Sequence, residues 1–189
     1  MTIEDIILDN DRRGISELRS HLPADFCGQA AQLILDNPGP AIVVTGFYLL
    51  VAEITETDGP PGAVAIGDAL QSLGREVVYV SDRYTAPLLT GLRGSDARVV
   101  DFPITDVEAS RKFASDLLAE INPSVVIAIE RCGLTEEGLF RNSKGLDISE
   151  YNAKTDYLFE DHPATVGIGD GGNEVGMGNL VSVLTTVPS

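Results

Sequence analysis

The feature that most constrains this chain is a repeated alternation. Short runs dense in valine, isoleucine and alanine are each followed by a stretch with helical spacing. Residues 41–48 are apolar on both faces, as a central strand of a parallel sheet must be. Further strands are expected over residues 76–82, 97–102, 124–130 and 164–169. Helices are expected between them over 63–73, 84–92 and 106–120, with Pro61 suited to a first helical turn and Gly74 to a helix end. Strands that alternate with helices imply parallel crossovers. The expected fold is therefore α/β: a three-layer, Rossmann-like domain with a mainly parallel sheet of about five strands and helices on both faces.

Residues 1–189 are expected to form one domain. Its first 40 residues read as a helical cover for the sheet. They carry helical spacing over 4–20, with a break near Asp9-Asn10-Asp11 before Arg12 and Arg13, and again over 24–36. Asn37-Pro38-Gly39-Pro40 ends the second of these. Residues 131–163 form a long polar insertion between the last two strands, rich in turn residues such as Arg141-Asn142-Ser143-Lys144-Gly145. Connections of that length in a compact domain are functional or mobile as a rule.

Charge and apolar patterning exclude several classes of partner. The net charge is −16, from 29 acidic against 13 basic residues, which argues against nucleic acid and anionic membranes. Only 43% of residues are hydrophobic, and no apolar run approaches the ~20 residues of a membrane span. The acidic start, Met1-Thr2-Ile3-Glu4-Asp5, lacks the layout of a signal peptide, so a cytoplasmic location is expected. Cys27 and Cys132 are too few for a disulfide framework and fit no metal spacing. His21 and His162 are isolated.

In an open parallel sheet, ligands bind at the carboxyl ends of the strands. Those ends carry Thr45, Glu56 and Asp58 after the first expected strand, Asp82 after the second, Glu130 and Arg131 after the fourth, and Asp170, Asn173 and Glu174 after the fifth. Scattered surface charge would not prefer one edge. Oxygen ligands of this kind suit Mg²⁺, Mn²⁺ or Ca²⁺. Six glycines fall in the twelve residues from Gly167 to Gly178. The part Gly167-Ile168-Gly169-Asp170-Gly171-Gly172 has the form G-x-G-x-x-G, but a dinucleotide fingerprint belongs on the first strand with an acidic residue beyond it. No nucleotide cofactor is expected.

The run from Gly167 to Gly178 resembles the signature of the D-glutamate cyclase family, as do Glu56-Thr57-Asp58-Gly59-Pro60-Pro61-Gly62-Ala63, Thr45-Gly46-Phe47 and Ile129-Glu130-Arg131-Cys132-Gly133. Arg141-Asn142 followed by Asp147-Ile148-Ser149 fits the same pattern. The resemblance implies a lyase that closes D-glutamate to 5-oxo-D-proline with loss of water, with a small anionic amino acid as substrate and a divalent cation in an acidic cavity. It also implies a domain that continues past the glycine signature, so this chain is expected to be shortened at its C-terminus. On this reading Asp170 or Glu174 serves as base, with Glu130 beside them. A cation is held by Asp58, Glu130 and Asp170. Arg131 or Arg141 holds the α-carboxylate. Gly169, Gly171, Gly172, Asn173 and Thr45 contact the substrate, the loop N–H groups facing a developing oxyanion. A binding module without turnover and a metal-dependent phosphoester hydrolase are the alternatives, and a homo-oligomer is left open.

Overall fold

Five parallel strands form one sheet in the computed structural model, which describes residues 1–9, 11, 14–94 and 96–184. They are β1 (Ala41–Gly46), β4 (Val77–Ser81), β5 (Arg98–Asp101), β6 (Val125–Arg131) and β7 (Thr165–Ile168), in the spatial order β5-β4-β1-β6-β7. A separate hairpin, β2 (Tyr48–Leu49) and β3 (Ile54–Thr55), rises from the end of β1. The strand expected over 41–48 therefore splits: the parallel ladder stops at Gly46 and Tyr48 pairs antiparallel with Thr55. Every residue of β1 is buried, because the strand is central and covered on both faces. Each fully buried valine there contributes about 1.5–3 kcal/mol relative to exposure.

The two faces are covered differently. On one face lie α2 (Phe26–Asp36), α3 (Gly59–Ser72) and α4 (Ala86–Arg93), which contribute Leu33, Ala63, Leu70 and Leu89 to a core with Val43, Tyr79 and Ile127. On the other lies α5 (Val107–Ile121), whose Ala114, Leu117 and Ile121 pack with Ile42, Val44, Val80 and Val126. The insertion completes this second face with Ala153 and Leu158. It is not the structureless connection its turn residues suggest. It carries 3-10 turns at Ser149–Tyr151 and Thr155–Leu158, and Phe140 and Ile148 form a small core with Cys132.

Local signals explain where the helices begin and end. The Asp106 carboxylate accepts a hydrogen bond from the Ala109 N–H at 2.8 Å and starts α5, and Asn122 ends it in a left-handed conformation. α3 starts four residues before the expected 63, because Asp58 caps it and Pro60 and Pro61 fit its first turn. At the N-terminus, α1 (Ile3–Ile7) and a 3-10 helix at Ile15–His21 replace the helix expected over 4–20. Asn10, Arg12 and Arg13, at the expected break, lie outside the described residues. After β7 the chain forms a loop, a 3-10 turn at Met177–Leu180 and the short α6 (Val181–Leu184). Among the described residues no helix is long and apolar enough to cross a membrane.

This order fixes one special place. From β1 the chain travels toward β4 and β5; from β6 it travels the opposite way to β7. β1 and β6 are neighbours, so a crevice opens between their carboxyl ends, which is where open α/β sheets bind ligands.

Candidate functional site

Glu130 occupies that crevice because of an irregularity in β6. Thr45 of β1 faces Ile129, yet Gly46 faces Arg131, so Glu130 is skipped in the register. Its φ is 45°, a left-handed value rare for a side chain of this size. Such a conformation costs on the order of 1–3 kcal/mol and persists only where the surroundings impose it. A bulge of this kind re-aims a side chain. Here it leaves Arg131 on the α5 face and Glu130 at the strand edge. The approach of the first turn of α3 is equally tight: a Cβ on Gly59 would stand 2.8 Å from the Glu130 Cβ and 2.6 Å from the Thr45 Oγ1.

The glycine loop delivers two more carboxylates. Its far limb runs antiparallel to the end of β6: the Val175 N–H donates to the Arg131 carbonyl at 2.8 Å, and the Gly133 N–H donates to the Asn173 carbonyl at 2.9 Å. That pairing brings Glu174 back to Glu130. Oxygen atoms of Glu130, Asp170 and Glu174 all lie within 4.8 Å of one another. Asp170 is exposed at the mouth, while Glu174 is only 6% exposed.

The loop's glycines are explained by Glu174 itself. The Gly171 N–H donates to Glu174 Oε1 at 2.7 Å, and a Cβ on Gly169 or Gly171 would fall within 2.8 Å of the Glu174 side chain. The loop is wrapped around its own carboxylate. The Gly171 N–H is consequently occupied rather than aimed at a substrate oxyanion. Glu174 Oε2 is buried with no hydrogen-bond partner among the described residues. A buried oxygen in that state calls for a proton, a water or a cation.

The electrostatic consequence falls on Glu130. Burial, and then the charges of Glu174, Asp170, Asp58 and Glu56, push its pKa from an ordinary 4.5 up to about 8. It therefore carries a proton at neutral pH when no cation is bound. Three carboxylates at this spacing, one with an unsatisfied buried oxygen, also fit a hard divalent cation. The set brought together contains Glu174 where the sequence reading has Asp58. The Asp58 carboxylate instead accepts the Gly59 N–H at 2.9 Å as the cap of α3, and acts on Glu130 through its charge.

A cavity of about 300 Å³ opens beside the cluster. Glu56, Glu130, Asp170, Gly171, Asn173 and Glu174 line one side, and the hairpin residues Phe47 to Ala52 line another. Asn142, Ser143, Lys144 and Leu146 of the insertion close the rim. Sequence reasoning overlooked the hairpin wall and Lys144; the polar, turn-rich character of the insertion was the available signal.

Other expected site residues stand elsewhere. Arg131 is fully buried on the α5 face. Its guanidinium donates to Asp82 Oδ2 at 2.6 Å, to the carbonyls of Gly46 and Ala153 at 3.1 and 2.7 Å, and to Thr155 Oγ1 at 3.1 Å. With those donors engaged it is not presented to the cavity, and Asp82 is consumed in the same pair. Arg141 turns outward to Glu137 and the Gly145 carbonyl, at 2.7 and 3.0 Å. The Asn173 amide donates to the Arg141 carbonyl at 2.7 Å and ties the insertion to the glycine loop. Thr45 is buried beneath the crevice, its hydroxyl without a partner among the described residues. Gly172 sits at φ 86° beside Leu184. Burial pushes the Cys132 thiol up to about 12, so it is no nucleophile at neutral pH. His162 accepts the Ala164 N–H on Nδ1 at 3.2 Å and has Nε2 3.0 Å from the Pro123 carbonyl, as a loop brace.

The sequence matches the family described as D-glutamate cyclase-like, C-terminal, over residues 3–188. It is 30% identical over 168 residues to the human protein named D-glutamate cyclase, mitochondrial, covering 79% of this chain and 27% of that protein. The chain thus spans about a quarter of the length of that curated relative. The mitochondrial label belongs to the human protein and lends no support to a cytoplasmic location here.

Proposed function

This chain belongs to the D-glutamate cyclase-like family, and from that premise we propose that its acidic cavity binds glutamate and closes it to 5-oxoproline and water. The observation that carries the reading is Glu130, held in a strained conformation against Asp170 and Glu174 and pushed up to about 8. A pair of carboxyl groups in different protonation states supplies acid and base at one pH.

The reaction sets clear demands. An ammonium and a carboxylate become an amide and a water. Two protons leave the nitrogen and two end on the departing oxygen, so no external acid, base or oxidant is consumed. On this reading Asp170, exposed at the mouth, takes a proton from the ammonium. Protonated Glu130 gives one to the γ-carboxyl oxygen that leaves and takes the nitrogen's second proton, while Asp170 passes the first to the same oxygen, so both groups end as they began. Glu174, fixed by the Gly171 N–H, holds the cluster's shape and its charge. The apolar wall from Phe47 to Val51 keeps water from the folded substrate chain and favours the bent, near-attack form.

The same three carboxylates would hold Mn²⁺, Mg²⁺ or Ca²⁺, which would polarise the γ-carboxyl oxygen. A proton on Glu130 and a cation compete for one oxygen set, so cation affinity is expected to rise with pH through about 8. The test is formation of 5-oxoproline from D- and L-glutamate, with and without Mn²⁺, by the parent protein and by E130Q and D170N. Each variant is expected to lose about 100-fold or more in kcat while keeping its fold. Undiminished turnover in both would remove the cluster from the reaction; no turnover by a folded, metal-supplied parent would remove the reaction from the protein.

A further inference from the structure

We propose that Lys144 anchors the substrate carboxylate that lies away from the acid cluster, and so makes the cavity selective for dicarboxylates; the inference rests on the glutamate reading above. The cavity presents Glu56, Glu130, Asp170 and Glu174 together. A dianionic ligand entering such a space is repelled unless both of its charges are met. One end can share the proton or cation of the cluster. The other end needs a fixed positive group, and Arg131 and Arg141 are both turned elsewhere.

Among the described residues that line the cavity, Lys144 alone is cationic. It stands on the rim contributed by the insertion, and its ammonium has no hydrogen-bond or ion-pair partner among the described residues. Its backbone is well held. Asn142 Oδ1 accepts from the N–H groups of Lys144 and Leu146, both at 3.0 Å, and the Gly145 N–H donates to the Asn142 carbonyl at 2.8 Å. The Arg141–Asn173 hydrogen bond of 2.7 Å then couples this turn to the loop that carries Asp170 and Glu174. A flexible side chain is thus mounted on a fixed turn, tied to the loop that carries the acid cluster. Arg141 belongs to this device as a brace: its guanidinium holds the Gly145 carbonyl at 3.0 Å and leaves carboxylate binding to its neighbour.

Glutarate is the direct probe, because it has two carboxylates and no amine and so cannot cyclise. Its binding to the parent protein, K144M and K144R is measured by titration calorimetry, with and without Mn²⁺. The parent should bind glutarate and K144M about tenfold more weakly, the size of one exposed charge-assisted hydrogen bond. K144R should stay within about threefold. Butyrate, with one carboxylate, should not distinguish the parent from K144M. In turnover, K144M should raise KM for glutamate about tenfold and leave kcat within about twofold. Equal glutarate binding by parent and K144M, or no glutarate binding by the parent in either condition, overturns the proposal. The two readings fail separately. Lys144-dependent glutarate binding without any 5-oxoproline would sink the cyclisation and leave the anchor standing. Cyclisation by K144M at the parental KM would do the reverse.

Discussion

Glu130 and Arg131 are neighbours in the chain and opposites in their settlement. Arg131 is buried with its charge met by Asp82, and its remaining donors reach two carbonyls and a hydroxyl. Glu130, one residue earlier, is pressed against other carboxylates, and a proton or a cation must make up the difference. Both are charged groups taken out of water, which is expensive unless the charge is compensated. Where the protein supplies the compensation, the result is a strut that joins β1, β4 and the insertion. Where it withholds it, the deficit can only be made up from outside, and that region is open to a cavity. The skipped register at Glu130 decides which of the two side chains goes to which region.

The comparison breaks most visibly at Arg131. R131M leaves Asp82 buried without its partner and should cost about 3–5 kcal/mol, a large part of a domain's total stability, measured by urea unfolding. The R131M/D82N double variant should recover part of that loss, since no charge is then buried alone. A loss in R131M below about 1 kcal/mol, or full stability with abolished turnover, would move Arg131 from the strut to the site.

That assignment also shows what the sequence could and could not disclose. The fold was legible because both-face burial demands continuous apolar runs such as Ile42-Val43-Val44, and the helix stops carry strong local signals. The carboxylates were legible because a parallel sheet gathers its strand ends on one edge. The sign of Arg131's role was not. Nothing in Glu130-Arg131-Cys132 reports a bulge, and strict alternation carried on from Val126 and Ile127 would put Glu130 on the α5 face and Arg131 on the other, the reverse of the arrangement found. Likewise the glycine run reads equally well as an anion cradle or a wrapping for Glu174. Only the Gly171 hydrogen bond and the closeness of Gly169 to the Glu174 side chain decide it. The insertion's order depends on contacts far apart in sequence, such as Ala153 and Leu158 with Ile42 and Val44, which no local window contains.

A smaller effect tests the uncompensated side. Glu130 has an ordinary pKa of 4.5 and is pushed to about 8 in the folded chain. Between those values the native state binds more protons than the unfolded one, so stability falls as pH rises. The contribution is fully present below 4.5 and is lost as pH climbs through about 8. E130Q has no such proton to lose. Thermal melts from pH 5 to 9 should therefore show the parent losing ground to E130Q, on the order of 2–4 °C in Tm at the alkaline end. Saturating Mn²⁺ should restore the parent and leave E130Q less affected. Parallel pH profiles for the two proteins would show that Glu130 holds no extra proton, and the contrast with Arg131 would lose half its content.

The smallest effect belongs to Arg141, and it sharpens the comparison by adding a third regime. Its ion pair with Glu137 is exposed on both sides, so water screens it and compensation matters little. R141A should leave Tm within about 1 °C of the parent. What it removes is the brace on the Gly145 carbonyl, and with it part of the stiffness of the turn beneath Lys144. The expected signature is a KM for glutamate raised by about twofold with kcat unchanged, well short of the K144M effect. A tenfold rise in R141A with none in K144M would return the carboxylate anchor to Arg141. Its guanidinium would then have to leave Glu137 when substrate enters, so glutarate should bind E137Q, where no carboxylate competes for it, more tightly than it binds the parent.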